Sequence, residues 1–305
     1  MVAPALARPD RTADNTPRAS GRGAVAIGPV AFQGEPGAFS ESAVVAALGA
    51  GVQSLPCRTL RDACLAVVGG RADLAVLPVE NSRAGSIPET YDLLLSQRLV
   101  VRGEVAVRVE QCLLAPRGTR LQDVRRVYSH PQALAQCESY LRQLDVEAIA
   151  VYDTAGSARN LALLGEPGAA AVASARAGEL YGLELLARGI QEDPHNTTRF
   201  YIAGPPGPPV PPGAGPWHTV LALHLADDDT PGALHWSLGT LAFWRLNLLK
   251  IESRPSPERQ WRYHFYLELA AAADSPDCRA ALAELAGRGA HVQVLGSYPA
   301  APLPG

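Results

Sequence analysis

Four polar clusters in the first two thirds of the chain share one topological position, just after an apolar run and at the start of a helical one. They are Gly34-Glu-Pro-Gly-Ala-Phe-Ser40, Glu80-Asn-Ser82 followed by Gly85-Ser86, Ser129-His-Pro-Gln132, and Asp153-Thr-Ala-Gly-Ser157. A fifth, Asn196-Thr-Thr-Arg-Phe200, precedes another short apolar run. These are mostly hydroxyls and amides, which orient an anion and donate hydrogen bonds without a strong permanent charge. Helix N-termini add free N–H groups and a positive dipole end, so several of them converging at strand ends would make an anion cradle. The plainer reading is that Ser40, Ser82 and Thr154 only cap helices. His130 is open to a proton relay or a structural group, Glu80 to a buried acid or an anchor, and Arg199 to carboxylate binding or an ion pair with a nearby acid.

Composition narrows the chemistry. The chain has 305 residues, a formal net charge of −3 and 19% charged residues, without the basic excess of a general nucleic-acid binder. Only one of the 27 basic residues is a lysine, Lys250, and Ile251 follows it; a Walker-A loop and a pyridoxal lysine are both excluded. The five cysteines contain no Cys-x-x-Cys pair, and no histidine lies within four residues of one, so no metal is expected and the thiols read as reduced core groups of a cytoplasmic protein. No apolar run approaches the ~18 residues of a membrane span. Residues 1–29 lack the apolar centre of a secretory signal and read as a disordered tail.

The elements that must position these clusters divide at Gly204–Pro216, where seven prolines and four glycines occupy thirteen positions and read as a linker. Before it, strands at 30–33, 73–78, 126–129, 147–152 and 169–173 alternate with helices, including 59–68 and 131–144, giving an α/β domain. After it, strand 218–225, helix 231–245, strands 246–252 and 261–269, helix 276–288 and strand 290–296 have the βαββαβ order of a ferredoxin-like sandwich. In the strand ending at Leu269, Tyr263, Phe265, Leu267 and Leu269 should face the helices, with Arg262, His264, Tyr266 and Glu268 outward or in a partner's sheet.

Taken together, AFQGEPGAFSESA, LPVENSRAGSI, YSHPQALAQCESYL, VYDTAGSARNLA and IQEDPHNTTRF resemble the prephenate dehydratase family from residue 30 to 297. Pro231-Gly-Ala-Leu234 and Ile251-Glu-Ser-Arg-Pro255 look like the phenylalanine-binding signatures of that family's ACT regulatory domain. Leu249 and His235-Trp236 depart from the usual pattern, which bears on effector affinity more than on fold.

The resemblance implies a two-lobed, periplasmic-binding-protein-like α/β catalytic domain over 30–204, followed by a ferredoxin-like ACT domain over 217–297. Lobe 1 would hold about 30–105 and 188–204 and lobe 2 about 106–187, with 205–216 as linker and 298–305 as tail. It implies conversion of prephenate to phenylpyruvate, CO2 and water without metal or cofactor, with arogenate dehydration or a non-catalytic amino-acid sensor as alternatives. With only 29 residues ahead of the first strand, no upstream mutase domain is expected.

Carried over residue by residue, Thr198 is the hydroxyl essential to elimination. Ser40, Glu80, Asn81, Ser82, Ser129, Gln132, Thr154, Ser157, Arg199 and Phe200 bind substrate. Gly232, Ala233, Leu234, Asn247, Glu252, Ser253 and Arg254 bind L-phenylalanine between two ACT domains of a homodimer or homotetramer. Nucleic-acid and membrane partners are not expected.

Overall fold

The computed structural model describes residues 27–211, 215–225, 230–256 and 263–302. The expected N-terminal tail up to residue 26, part of the linker, Arg262 and the last three residues lie outside these. Lobe 1 begins with β1 (Val30–Gln33), α1 (Phe39–Leu48), β2 (Ser54–Cys57) and α2 (Leu60–Val68). It continues with β3 (Leu74–Asn81), β4 (Gly85–Ser86), α3 (Pro88–Ser96) and β5 (Val100–Arg108). Helix α2 starts where the Thr59 side chain accepts the Asp62 N–H at 3.0 Å and stops at Gly69-Gly70, with Gly70 at φ +69°.

Lobe 2 comprises β6 (Cys112–Ala115), β7 (Arg126–Ser129), α4 (Pro131–Gln136), α5 (Glu138–Gln143) and β8 (Glu147–Ala150), then α6 (Thr154–Leu164), β9 (Ala169–Ala173), α7 (Ala175–Tyr181) and β10 (Glu184–Arg188). The helix expected over 131–144 is two helices, because Cys137, at φ −113°, interrupts the helical backbone. Its apolar stripe survives the break, since Leu134, Cys137, Leu141 and Leu144 all pack in the lobe 2 core. Strand β9 is buried along its whole length, as an all-apolar central strand requires.

The chain crosses between lobes twice, after β5 and before β11 (Thr197–Gly204), which returns to lobe 1 and lies between β5 and β3. The segment after β11 is not a detached linker over its described part. Val210 donates to the Arg102 carbonyl at 2.7 Å and is buried in the core beneath β1 and β3.

The C-terminal unit has β12 (Trp217–His224), α8 (Ala233–Phe243), β13 (Leu248–Pro255), β14 (Tyr263–Leu269), α9 (Pro276–Gly287) and β15 (His291–Pro299). Its order β13-β14-β12-β15 is the ferredoxin-like one, and β15 meets β5 so that a single sheet runs β13-β14-β12-β15-β5-β11-β3-β1-β2. The join is one register pair, Gly296 with Val101, and a Cβ on Gly296 would stand 2.1 Å from the Val101 carbonyl oxygen. Only glycine admits that approach.

Phe265, Leu267 and Leu269 face α8 and α9 as expected, whereas Tyr263, the first residue of β14, is exposed beyond the reach of that core. The opposite face is neither outward nor free for a partner, since Tyr266 packs with Tyr91, Tyr201 and Tyr298 in a core continuous with lobe 1. Tyr91 and Tyr266 stack with centroids 4.9 Å apart.

Candidate active site

A cavity of about 470 Å³ opens between the lobes. Lobe 1 and its return strand contribute Ser40, Asn81, Thr198 and Phe200, and lobe 2 contributes His130, Gln132 and Thr154. The five polar clusters therefore converge. The capping reading fails for their hydroxyls: α1 has no side-chain cap, and α6 is capped by Asp153, which accepts the Gly156 N–H at 2.5 Å. Thr154 is thus the first residue inside α6. Burial is the leading influence on the Asp153 carboxyl and raises it above the usual carboxylate range, against the Gly156 N–H that lowers it.

Asn81 ends β3 opposite Thr198 in β11. Its Oδ1 accepts the Arg83 and Ala84 N–H groups at 3.0 and 2.9 Å, which fixes the amide orientation. Its Nδ2 then donates to Thr198 Oγ1 at 2.9 Å and to Asn196 Oδ1 at 2.8 Å. Because the Thr198 oxygen already accepts, its own proton is available as a donor. His130 caps α4, its Nδ1 accepting the Gln132 N–H at 3.2 Å, and in the neutral ring this leaves the proton on Nε2.

The remaining residues expected at the site lie elsewhere. Ser129 is fully buried and donates to the Val172 carbonyl at 2.7 Å, tying β7 to β9. Ser157 donates to the Thr154 carbonyl at 2.6 Å and lines a neighbouring cavity of about 430 Å³. Ser82 exchanges bonds with Thr197, accepting its N–H on Oγ and donating its own N–H to the Thr197 carbonyl. Glu80 and Arg199 point away because alternate residues of a strand face opposite ways. Arg199 is held by Glu268, Glu80 and Glu104 on the reverse face of the sheet, so the ion-pair alternative for it is the one realised.

Polar residues that the sequence reading did not assign to substrate also line the cavity: Gln33, Gln111, Gln136, Tyr152 and Asp153. Gln111 donates from Nε2 to Gln136 Oε1 at 3.1 Å. Gln136 lies one helical turn after Gln132, and that i, i+4 spacing was the available signal. Asp153, immediately before a helical run, was visible as a cap.

Among the described residues, neither lysine nor arginine lines this cavity. Arg58 and Arg159 line the neighbouring one, where Arg159 pairs with Glu35 at 2.7 Å. The one cluster of potential metal-ligating groups found among the described residues, Glu104, His218 and Glu268, lies on the reverse face, and Arg199 bonds both of its carboxylates.

A loop from lobe 1 packs against α7 of lobe 2. Gly37 sits at φ +90°, and a Cβ there would come 2.8 Å from Ala177 Cα in α7. Around it, Ser174 donates to the Gly37 carbonyl at 2.5 Å and Tyr181 to the Pro36 carbonyl at 2.8 Å. Glu41 Oε2 accepts the Gly37 N–H at 2.7 Å and Arg176 Nε at 3.0 Å, bridging the lobes.

Residues 30–207 match the family model described as prephenate dehydratase. The chain belongs to the prephenate dehydratase family. It is 41% identical to arogenate dehydratase 2 of Petunia hybrida over 285 residues, covering 88% of this chain and 71% of that one. A bifunctional N-acyl-homoserine lactone acylase/prephenate dehydratase of Komagataeibacter europaeus is 40% identical, with 90% and 96% covered. Among solved structures, the prephenate dehydratase of Arthrobacter aurescens in complex with L-Phe superposes with a TM-score of 0.80 at 31% identity, covering 89% of each chain. This family member is accordingly a lyase acting by dehydration with decarboxylation.

In the C-terminal unit, a cavity takes in only part of the expected effector set. About 340 Å³ in volume and at the start of α8, it is lined by Ala233, Trp236 and Arg288 but by none of Asn247, Glu252, Ser253 or Arg254. Gly232, at φ +85°, is the N-cap of α8, and Leu234 lies in its first turn. Arg254 is committed to Asp92 of α3 at 2.8 Å, which also accepts the Tyr266 hydroxyl. No helix among the described residues is long and apolar enough to cross a membrane.

Proposed function

We propose that this lyase acts on prephenate in the interlobe cavity, releasing CO2 and water to leave phenylpyruvate, with arogenate as the second substrate to test. The reaction takes up one proton: the ring carboxylate leaves as CO2, its bonding pair aromatises the ring, and the ring hydroxyl departs as water. The observation that carries the reading is the oriented Asn81 to Thr198 hydrogen bond in a cavity lined by hydroxyls and amides. It leaves the Thr198 proton free to bond the departing oxygen. A threonine is too weak an acid to supply the proton from its own pool, so the hydroxyl passes it on and is reprotonated, or bonds the leaving group while a neighbour delivers it.

The lining also suits the carboxylate that departs. A guanidinium on that group would stabilise the ground state more than the CO2-like transition state and slow the step. Hydroxyls at Ser40 and Thr154 and the Gln132 amide, near the starts of α1, α6 and α4, orient the other carboxylate.

Regulation by L-phenylalanine at an ACT interface between two copies is the second part of the proposal. It is supported by the 31% identical prephenate dehydratase of Arthrobacter aurescens, whose structure is a complex with L-Phe. Exposed Trp236, Phe243, Leu249 and Ile251 supply apolar surface for such a homodimer or a dimer of dimers. Five buried free cysteines fit a reducing, cytoplasmic setting.

The test is phenylpyruvate formation from prephenate by purified protein in chelator, with arogenate alongside. Fast prephenate turnover supports the reading and a strong arogenate preference moves the substrate; turnover of neither, by folded protein, overturns it.

A further inference from the structure

Directly behind Thr198 and Asn81, the same two strands carry a second pair on the opposite face: Arg199 lies in register with Glu80. Their side chains bond at 3.1 Å. The C-terminal unit answers with a register pair of its own, Lys250 of β13 opposite Glu268 of β14. Arg199 Nη1 and Nη2 meet the two Glu268 oxygens at 2.6 and 2.7 Å, a bidentate fork, and Lys250 Nζ reaches Glu80 at 3.2 Å. Contacts between the units thus join the two pairs into a run of alternating charge, Lys250, Glu80, Arg199, Glu268. Glu104 adds a weaker contact to Arg199 at 3.4 Å, and His218 Nδ1 lies 3.3 Å from Glu268.

Two features give this charge network a hold on the site. The side chains of Glu268 and Lys250, the chain's single lysine, are 2% and 11% exposed against 38% for Glu80, so removing either buried member leaves an unbalanced charge in a network that also holds Arg199. The pairing of β11 with β3 passes from Arg199 opposite Glu80 to Phe200 opposite Pro78, so Val79 is an extra residue in β3 and the ladder is irregular one residue from the Thr198–Asn81 pair. A bulge of this kind re-aims side chains and depends on neighbouring contacts to hold its geometry.

We propose that Lys250 and Glu268 of the C-terminal unit are positioning residues for Thr198, fixing the β3 bulge beside β11 through Arg199 and Glu80 so that the Thr198 hydroxyl meets the substrate. The proposal rests on the reading of Thr198 given above. It makes the regulatory unit a structural component of the catalytic strand, with no reliance on the proline-rich segment to carry a signal.

The test is steady-state kinetics of the full chain carrying Lys250→Met, Lys250→Arg or Glu268→Gln, with melting temperature and oligomeric state measured in parallel. The expected result is a kcat loss of about tenfold for Lys250→Met and Glu268→Gln, a KM within twofold of wild type, and substantial recovery of kcat in Lys250→Arg. Glu284→Gln is the control, since it loosens the Trp244 contact on the far side of the C-terminal unit and should leave kcat alone. If Glu268→Gln proves too unstable to assay, Lys250→Met answers alone. Folded Lys250→Met with kcat within twofold of wild type, or a loss seen only in KM, would overturn the proposal. Failure of the wild-type protein to turn over either substrate overturns the functional reading and this inference with it.

Discussion

The Asn81 side chain donates to the Thr198 hydroxyl at 2.9 Å while its own oxygen accepts two backbone N–H groups, so the amide cannot turn without losing them. Thr198→Ala should lower kcat by a factor on the order of 10²–10⁴, the range for loss of a positioned proton-transfer group, with KM little changed. Thr198→Ser should retain most of the rate, and Asn81→Ala should fall between the two. Near wild-type turnover by Thr198→Ala would remove it from the mechanism.

Gly37 against Ala177 predicts a second outcome. Gly37→Ala adds a Cβ 2.8 Å from the Ala177 backbone at a φ of +90°, combining overlap with a strained conformation. A destabilisation of about 1–3 kcal/mol is expected by thermal or urea unfolding. Since this contact joins the lobes, KM should rise as well; an unchanged melting curve with unchanged KM would contradict the assignment.

Glu41 should make stability depend on acid pH. Burial raises its carboxyl, but the bonds from Arg176 and the Gly37 N–H prevail and hold it below its ordinary value of 4.5. A group depressed on folding stabilises fully above its unfolded pKa and loses that contribution as pH falls through the lower folded value. The stability difference between wild type and Glu41→Gln should therefore be widest at neutral pH and shrink below about pH 4.5. A difference constant from pH 7 to 3 would show that the Glu41 charge is not involved.

Gly232 tests the regulatory proposal. Its φ of +85° at the α8 N-cap disfavours a branched side chain. Calorimetry should find L-phenylalanine bound at least tenfold more weakly by Gly232→Val than by wild type, with the circular dichroism spectrum unchanged. Equal affinities would move the effector elsewhere.

Much of this architecture was legible because periodicity and punctuation agree locally. β1, β7 and β9 have the bounds read from sequence, and the five polar motifs fall at strand ends where an α/β fold puts its ligands. Facing was harder to read. Nothing in Thr-Arg-Phe says that Thr198 turns to the cavity and Arg199 to the C-terminal unit, because the acids that claim Arg199 come from three other strands, 69 to 119 residues away. The face of β14 carrying Tyr266 and Glu268 read as outward because its cover, α3 and the return strand, belongs to another unit. Gln111 was missed because it stands beside an apolar run outside every quoted motif, and Gln136 because only its spacing from Gln132 marks it within one.

The place of β11 between β5 and β3 bears on how the nascent chain acquires its structure. Lobe 2 draws its whole sheet from residues 112–188, so it has every strand it needs before the central strand of lobe 1 has been synthesised. Until residue 204 leaves the ribosome, β5 and β3 have a strand-wide gap between them and expose apolar edges. The later-folding lobe is therefore the one that contributes Thr198, and its dependence on distant pairings makes it the part of the molecule whose formation a chaperone would most directly assist.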